Sequence, residues 1–212
     1  MATDVLPRPG IEWRGRRLGR RLGQLAVGLW LYGSSVGLIL RASLGGSPWD
    51  SLHQGLSRHL GMGVGVWMTV VGALVLLLWI PLRQRPGVGT VGNVLVLGVA
   101  LDTTLAVVPV QHALAVRVPL LLAGVLLNGL ATGMYIGARL GPGPRDGLMT
   151  GLHRRTGRSI RLVRTLIEAT VLTAGVLLGG TVGVGTVLYA LAIGPLAQFF
   201  LRWCTVPEGR AG

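Results

Sequence analysis

The chain has no lysine, a single cysteine and few acids. Without lysine, a Walker-type phosphate loop and a Schiff-base mechanism are both excluded. With Cys204 alone, no intrachain disulfide can form. Charged residues make up only 13% of the 212 residues, whereas AVILMFWYC make up 50% and the mean hydropathy is +0.63. That is too apolar for a soluble domain of this length and places the chain in the lipid bilayer. The 20 basic residues are all arginine against 7 acids, a net charge of +13. In a soluble protein this would point to nucleic acid. In a membrane protein it reads as cytoplasmic loop charge that sets orientation, and no nucleic-acid partner is assigned. His53, His59, His112 and His153 have no metal-ligand spacing with one another or with Cys204. No nucleophile or paired-carboxylate constellation stands out, so neither an enzyme nor a cofactor is expected.

Apolar stretches of roughly 20 residues, the length that crosses a bilayer, lie near 22–40, 63–82, 88–108, 118–137, 160–179 and 184–203. The first follows a basic flank as in a signal peptide. It is long enough to span and has no small-x-small cleavage site after it, so it is read as an anchored helix. Six spans put the arginines of the N-terminus, of the second-to-third connection, of the fourth-to-fifth region and of the C-terminus on one side. Only Arg41, Arg58 and Arg117 fall on the other. Both termini are therefore expected in the cytoplasm, with the protein in a bacterial inner membrane.

The chain also repeats itself. At a constant offset of 96, Gly28 matches Gly124, Gly33 matches Gly129, Gly37 matches Gly133, Pro48 matches Pro144, Asp50 matches Asp146 and Gly55 matches Gly151. The segment GVGTV at 87–91 recurs unchanged at 183–187. Three spans per copy is an odd number, so the second copy should enter the membrane upside down relative to the first. The expected fold is all-α, with six transmembrane helices as two inverted three-helix repeats. Each repeat adds a short amphipathic or re-entrant helix after its first span. The expected segments are a basic cytoplasmic N-terminus over 1–21, repeats over 22–108 and 118–203, and a cytoplasmic tail over 204–212.

The stretches SPWDSLHQGLS, RQRPGVGTVGNVLVLGVALD and GARLGPGPRDGLMTGLHRRTG resemble the YczE/YyaS branch of the YitT-like bacterial membrane proteins. The resemblance covers nearly the whole chain after the basic N-terminus. It implies a bacterial multi-span membrane protein and supplies no catalytic residues.

The two copies of the punctuating motif carry the chemistry. In SPWD, Ser47 is placed as an N-cap, Pro48 at the first helical position and Asp50 at the third. In GPRD, Gly143, Pro144 and Asp146 take the same places, and Gly61 and Gly157 stand where helices of about 13 residues would end. The acids either cap these helices and do nothing more, or mark two helix N-termini that form the ends of a substrate path. On the second reading Trp49, Asp50, His53, Arg145 and Asp146 line or gate it. Tyr32, Asn93, Asn128 and Tyr189 are candidate polar lining residues, or side chains that hydrogen-bond helices together. Asp102 and Glu168 sit within spans and are candidates for proton coupling; the alternative readings are a hydrated Asp102 near the outer surface and an ordinary ion pair of Glu168 with Arg164 four residues earlier.

Together these features point to a transporter or permease-like carrier of an unidentified small solute that works by alternating access. The alternative is a non-transporting membrane scaffold or regulatory partner acting through its arginine-rich face. Partners beyond the lipid bilayer and the solute are a second copy of the chain or another membrane protein.

Overall fold

The computed structural model describes residues 18–206, and within them eight α-helices and no strand. Most of the basic N-terminal segment and the end of the tail lie outside the described residues. The helices are α1 (Leu18–Ala42), α2 (Pro48–Leu60), α3 (Val64–Leu77), α4 (Val88–Val107), α5 (Leu114–Gly137), α6 (Pro144–Thr156), α7 (Ile160–Leu177) and α8 (Val184–Cys204). The helix starts repeat at the offset of 96, with Leu18 answered by Leu114, Pro48 by Pro144, Val64 by Ile160 and Val88 by Val184.

Four helices, α1, α4, α5 and α8, are long and apolar enough to cross a membrane unaided. A fifth crossing is available if α2 and α3, bent by 113° at their junction, are taken as one broken span. This is fewer than the six continuous spans expected. The stretch 63–82 yields α3 of only 14 residues, about 21 Å at 1.5 Å per residue, which falls short of a hydrocarbon core about 30 Å thick. The stretch 160–179 yields α7 of 18 residues, but Arg161, Arg164 and Glu168 interrupt its apolar character.

The spine is the pair α1 and α5, which run antiparallel. At one end Arg21 donates from Nε to the Ala138 carbonyl (2.9 Å) and from Nη2 to that of Arg139 (2.8 Å). At the other end Arg117, its repeat equivalent, donates to the carbonyls of Ala42 and Ser43, both at 2.7 Å. Each guanidinium thus satisfies carbonyls that the end of the facing helix leaves without an intrahelical donor. Leu25, Leu29 and Val36 of α1 pack with Leu97 and Leu101 of α4 and with Tyr135 of α5, while Ile39 and Ala42 pack with Leu121 and Val125.

The halves differ in one placement. The helix α3 lies along α4 so closely that a Cβ built on Gly98 would stand 2.3 Å from the Gly65 carbonyl oxygen. At the equivalent positions in the second half the residues are Gly194 and Arg161, and a Cβ at Gly194 would meet nothing within 4 Å. Instead of lying along α8, α7 packs on α2, where Gly175 sits against the backbone of Ser51 and Leu52.

Candidate functional site

The two punctuating motifs build helix N-termini by local hydrogen bonding. Ser47 is extended (φ −66°, ψ 158°); its N–H donates to Asp50 Oδ2 at 2.9 Å, and its Oγ accepts from the Asp50 N–H at 3.2 Å. This is the reciprocal capping box, with Pro48 in the first turn where a missing N–H costs nothing. Gly143 has the same backbone (φ −62°, ψ 158°) but no side chain with which to cap. Asp146 accepts instead from the hydroxyl of Tyr135 on α5, at 2.7 Å. Both short helices stop at a glycine with positive φ, Gly61 (71°) and Gly157 (67°).

The loops leading into these helices are held crosswise by GVGTV. The Gly89 N–H donates to the Leu140 carbonyl and the Gly185 N–H to that of Leu44, both at 2.8 Å. The motif in each half therefore anchors the loop before the short helix of the other half. A side chain at Gly87 would put its Cβ 2.4 Å from the Leu140 oxygen, and one at Gly183 would put its Cβ 2.6 Å from the Leu44 oxygen. Close approach is what requires glycine there.

So anchored, the N-termini of α2 and α6 meet inside the protein, with the Arg145 guanidinium 4.7 Å from the centroid of the Trp49 ring. The helix α2 is not laid on a surface: Trp49, Asp50 and His53 are 8%, 2% and 1% exposed. The Tyr189 hydroxyl donates to Asn128 Oδ1 (2.9 Å), Asn128 Nδ2 donates to Ser35 Oγ (2.8 Å), and the Tyr32 ring meets the Tyr135 ring edge-on at 5.9 Å. A cavity of about 20 Å³ lies beside this meeting point, lined by Trp49, His53, Asn93, Pro144 and Arg145 together with apolar residues of α3 and α4. It has room for at least one water-sized occupant. Asp50 Oδ1 and both ring nitrogens of His53 are buried and have no hydrogen-bond partner. Each such group costs about 1–3 kcal/mol, so three in one place call for an explanation.

A model described as "Family of unknown function (DUF6198)" matches residues 19–202. The chain belongs to this family. An uncharacterized protein of Haemophilus influenzae is 41% identical over 206 residues, covering 95% of this chain and 94% of its own. The uncharacterized membrane protein YczE of Bacillus subtilis is 35% identical over 177 residues, 82% of each chain. YyaS of Bacillus subtilis is 27% identical over 179 residues, 82% of this chain and 89% of its own. No solved structure matches. The resemblance carried by the sequence motifs is thus shown, and this DUF6198 protein is a membrane protein of a YczE-like family.

Within it, nine of the residues singled out from sequence come together: Trp49, Asp50, His53, Arg145 and Asp146 from the two short helices, and Tyr32, Asn93, Asn128 and Tyr189 from the long ones. Two do not. Asp102 Oδ1 accepts the Gly65 N–H at 2.9 Å, supplying from α4 the cap that Gly63, having no side chain, cannot supply to α3. Glu168 pairs with Arg164 on α7 at 2.8 Å, with their side chains 37% and 54% exposed. Sequence reading missed Tyr135 and Ser35. The signal for Tyr135 was present: the chain has only three tyrosines, and all of them face this site.

Proposed function

We propose that the protein is a small-solute carrier of the bacterial inner membrane, working by alternating access between two inverted repeats. The observation that carries the proposal is the meeting of two repeat-related helix N-termini around buried polar groups with no partner. Broken helices whose positive ends face a central site are how many carriers bind solute within the bilayer.

The reciprocal capping by Arg21 and Arg117 supports inversion, because a two-fold axis between antiparallel α1 and α5 turns one half over onto the other. On this reading α3 and α7, each with its short partner helix, complete six crossings, and the arginine distribution leaves both termini in the cytoplasm. The departure of α7 from α8, set against the close packing of α3 on α4, supports exchange. If the halves trade roles, α7 closes on α8 while α3 opens from α4. The site then faces the other side without any change in its own residues.

The test is uptake. Purified protein in liposomes is offered a labelled pool of small metabolites and is expected to accumulate at least one that empty liposomes do not. No uptake, together with co-purification of one stoichiometric membrane partner, would replace this reading with the scaffold.

A further inference from the structure

Resting on the carrier reading, we propose that the central cavity receives one small monovalent anionic group, a halide or the head of a short carboxylate, between Arg145, His53 and Asn93. The charge balance of the lining decides the sign. Among the described residues Arg145 forms no ion pair, and neither Asp50 nor Asp146 lines the cavity. One oxygen of Asp50 is engaged by its own cap and one of Asp146 by Tyr135; Asp50 Oδ1 has no hydrogen-bond partner, and its carboxylate interacts with Arg145 from outside the lining. What faces the space is a guanidinium, an amide and an imidazole that offers an N–H in either tautomer. The remaining walls include Met68, Val71, Val94 and Leu97, which keep water away and strengthen the field of the guanidinium. A cation there would meet Arg145 with no carboxylate lining to offset it. An anion would give a partner to the 1% exposed His53, whose ring nitrogens have none.

A second open space carries the same sign. A basin of about 270 Å³ lies where α1 and α4 end, lined by Arg41, Ser43, Gln54, Ser57, Arg58 and Thr181 among others, with no acidic residue. The helix α2 separates the two spaces, turning Gln54, Ser57 and Arg58 to the basin and Trp49 and His53 to the cavity. A basin of one charge sign concentrates the opposite ion at its mouth. The basin therefore gathers anions on the other side of α2 from the cavity.

The experiment uses purified full-length protein in detergent at constant sodium, with gluconate replaced stepwise by chloride, iodide or formate. Gluconate is too large for the cavity and serves as the reference. A saturable rise in melting temperature with formate or chloride is expected, together with saturable iodide quenching of tryptophan fluorescence that Trp49→Phe removes. Arg145→Gln should weaken the apparent affinity at least about tenfold, the loss of one charge-assisted hydrogen bond. Arg145→Lys should recover part of it, and the gluconate melting temperature of each variant checks its folding. If Arg145→Gln does not fold, His53→Leu carries the test with the same expected weakening. Absence of any saturable anion response, or wild-type affinity in the folded variants, overturns the anion site. Uptake of a solute without an anion response would leave the carrier standing and remove the anion site; saturable anion binding without uptake of any solute would do the reverse.

Discussion

The unequal placement of α3 and α7 can be tested with the same substitution at two repeat-equivalent positions. Alanine at Gly98 puts a Cβ 2.3 Å from both the Gly65 carbonyl oxygen and Thr69 Oγ1. The carbonyl is backbone and cannot rotate away, so α3 and α4 must separate by most of an ångström. Overpacking of this kind costs about 1–3 kcal/mol, and so tight a contact belongs at the upper end. Replacing glycine inside a helix returns about 1 kcal/mol, which leaves Gly98→Ala destabilised by about 2 kcal/mol. Alanine at Gly194 meets nothing within 4 Å beyond its chain neighbours, but Pro195 follows it inside α8, and the proline ring crowds a Cβ on the residue before it, which offsets most of the gain of about 1 kcal/mol. Equilibrium unfolding in detergent should therefore separate the two variants by about 2 kcal/mol, with Gly194→Ala close to wild type. Alternating access adds a second expectation. If α7 must close on α8 through Gly194 as α3 does on α4 through Gly98, Gly194→Ala should be about as stable as wild type and yet slow in uptake. Equal destabilisation of both variants would refute the asymmetry. A stable Gly194→Ala with full turnover would refute the exchange of roles.

Topology is checked by single cysteines at His112 and Thr156, both exposed, in a Cys204→Ser background. An impermeant thiol reagent on intact cells should label position 112 alone, and labelling of both would sink the inverted arrangement. Asp102 is expected to act on stability through its cap on α3. Asp102→Ala leaves the Gly65 N–H without its acceptor and should cost about 1–3 kcal/mol, whereas Asp102→Asn, which keeps an acceptor, should cost less than about 1 kcal/mol by the same unfolding measurement. Arg21→Gln and Arg117→Gln should each lose about 1–3 kcal/mol. Their effects should add in the double variant, because the two caps sit at opposite ends of the α1–α5 pair. Strong non-additivity would show that the ends are coupled.

Much of this architecture was legible in the chain itself. The offset of 96 survives as matched helix starts because copies of one sequence fold alike locally. The capping of α2 was readable in SPWD because its hydrogen bonds close within three residues, and Gly61 and Gly157 end the short helices through their own backbone freedom. Only the tertiary structure decided the rest. Asp102 was legible as an acid within a span, but its partner Gly65, 37 positions earlier, was not. The role of GVGTV depends on a loop from the opposite half. Tyr135 acquires meaning only when α5 brings its hydroxyl to Asp146. Six apolar stretches became four helices long enough to cross unaided, with a fifth crossing if α2 and α3 form one broken span, because hydropathy adds up apolar residues without seeing where a helix breaks. The copies then part company at Gly65 and its equivalent Arg161: a glycine lets α3 lie against α4, whereas α7 rests on α2. That is a matter of shape between distant segments, which periodicity along the chain does not carry.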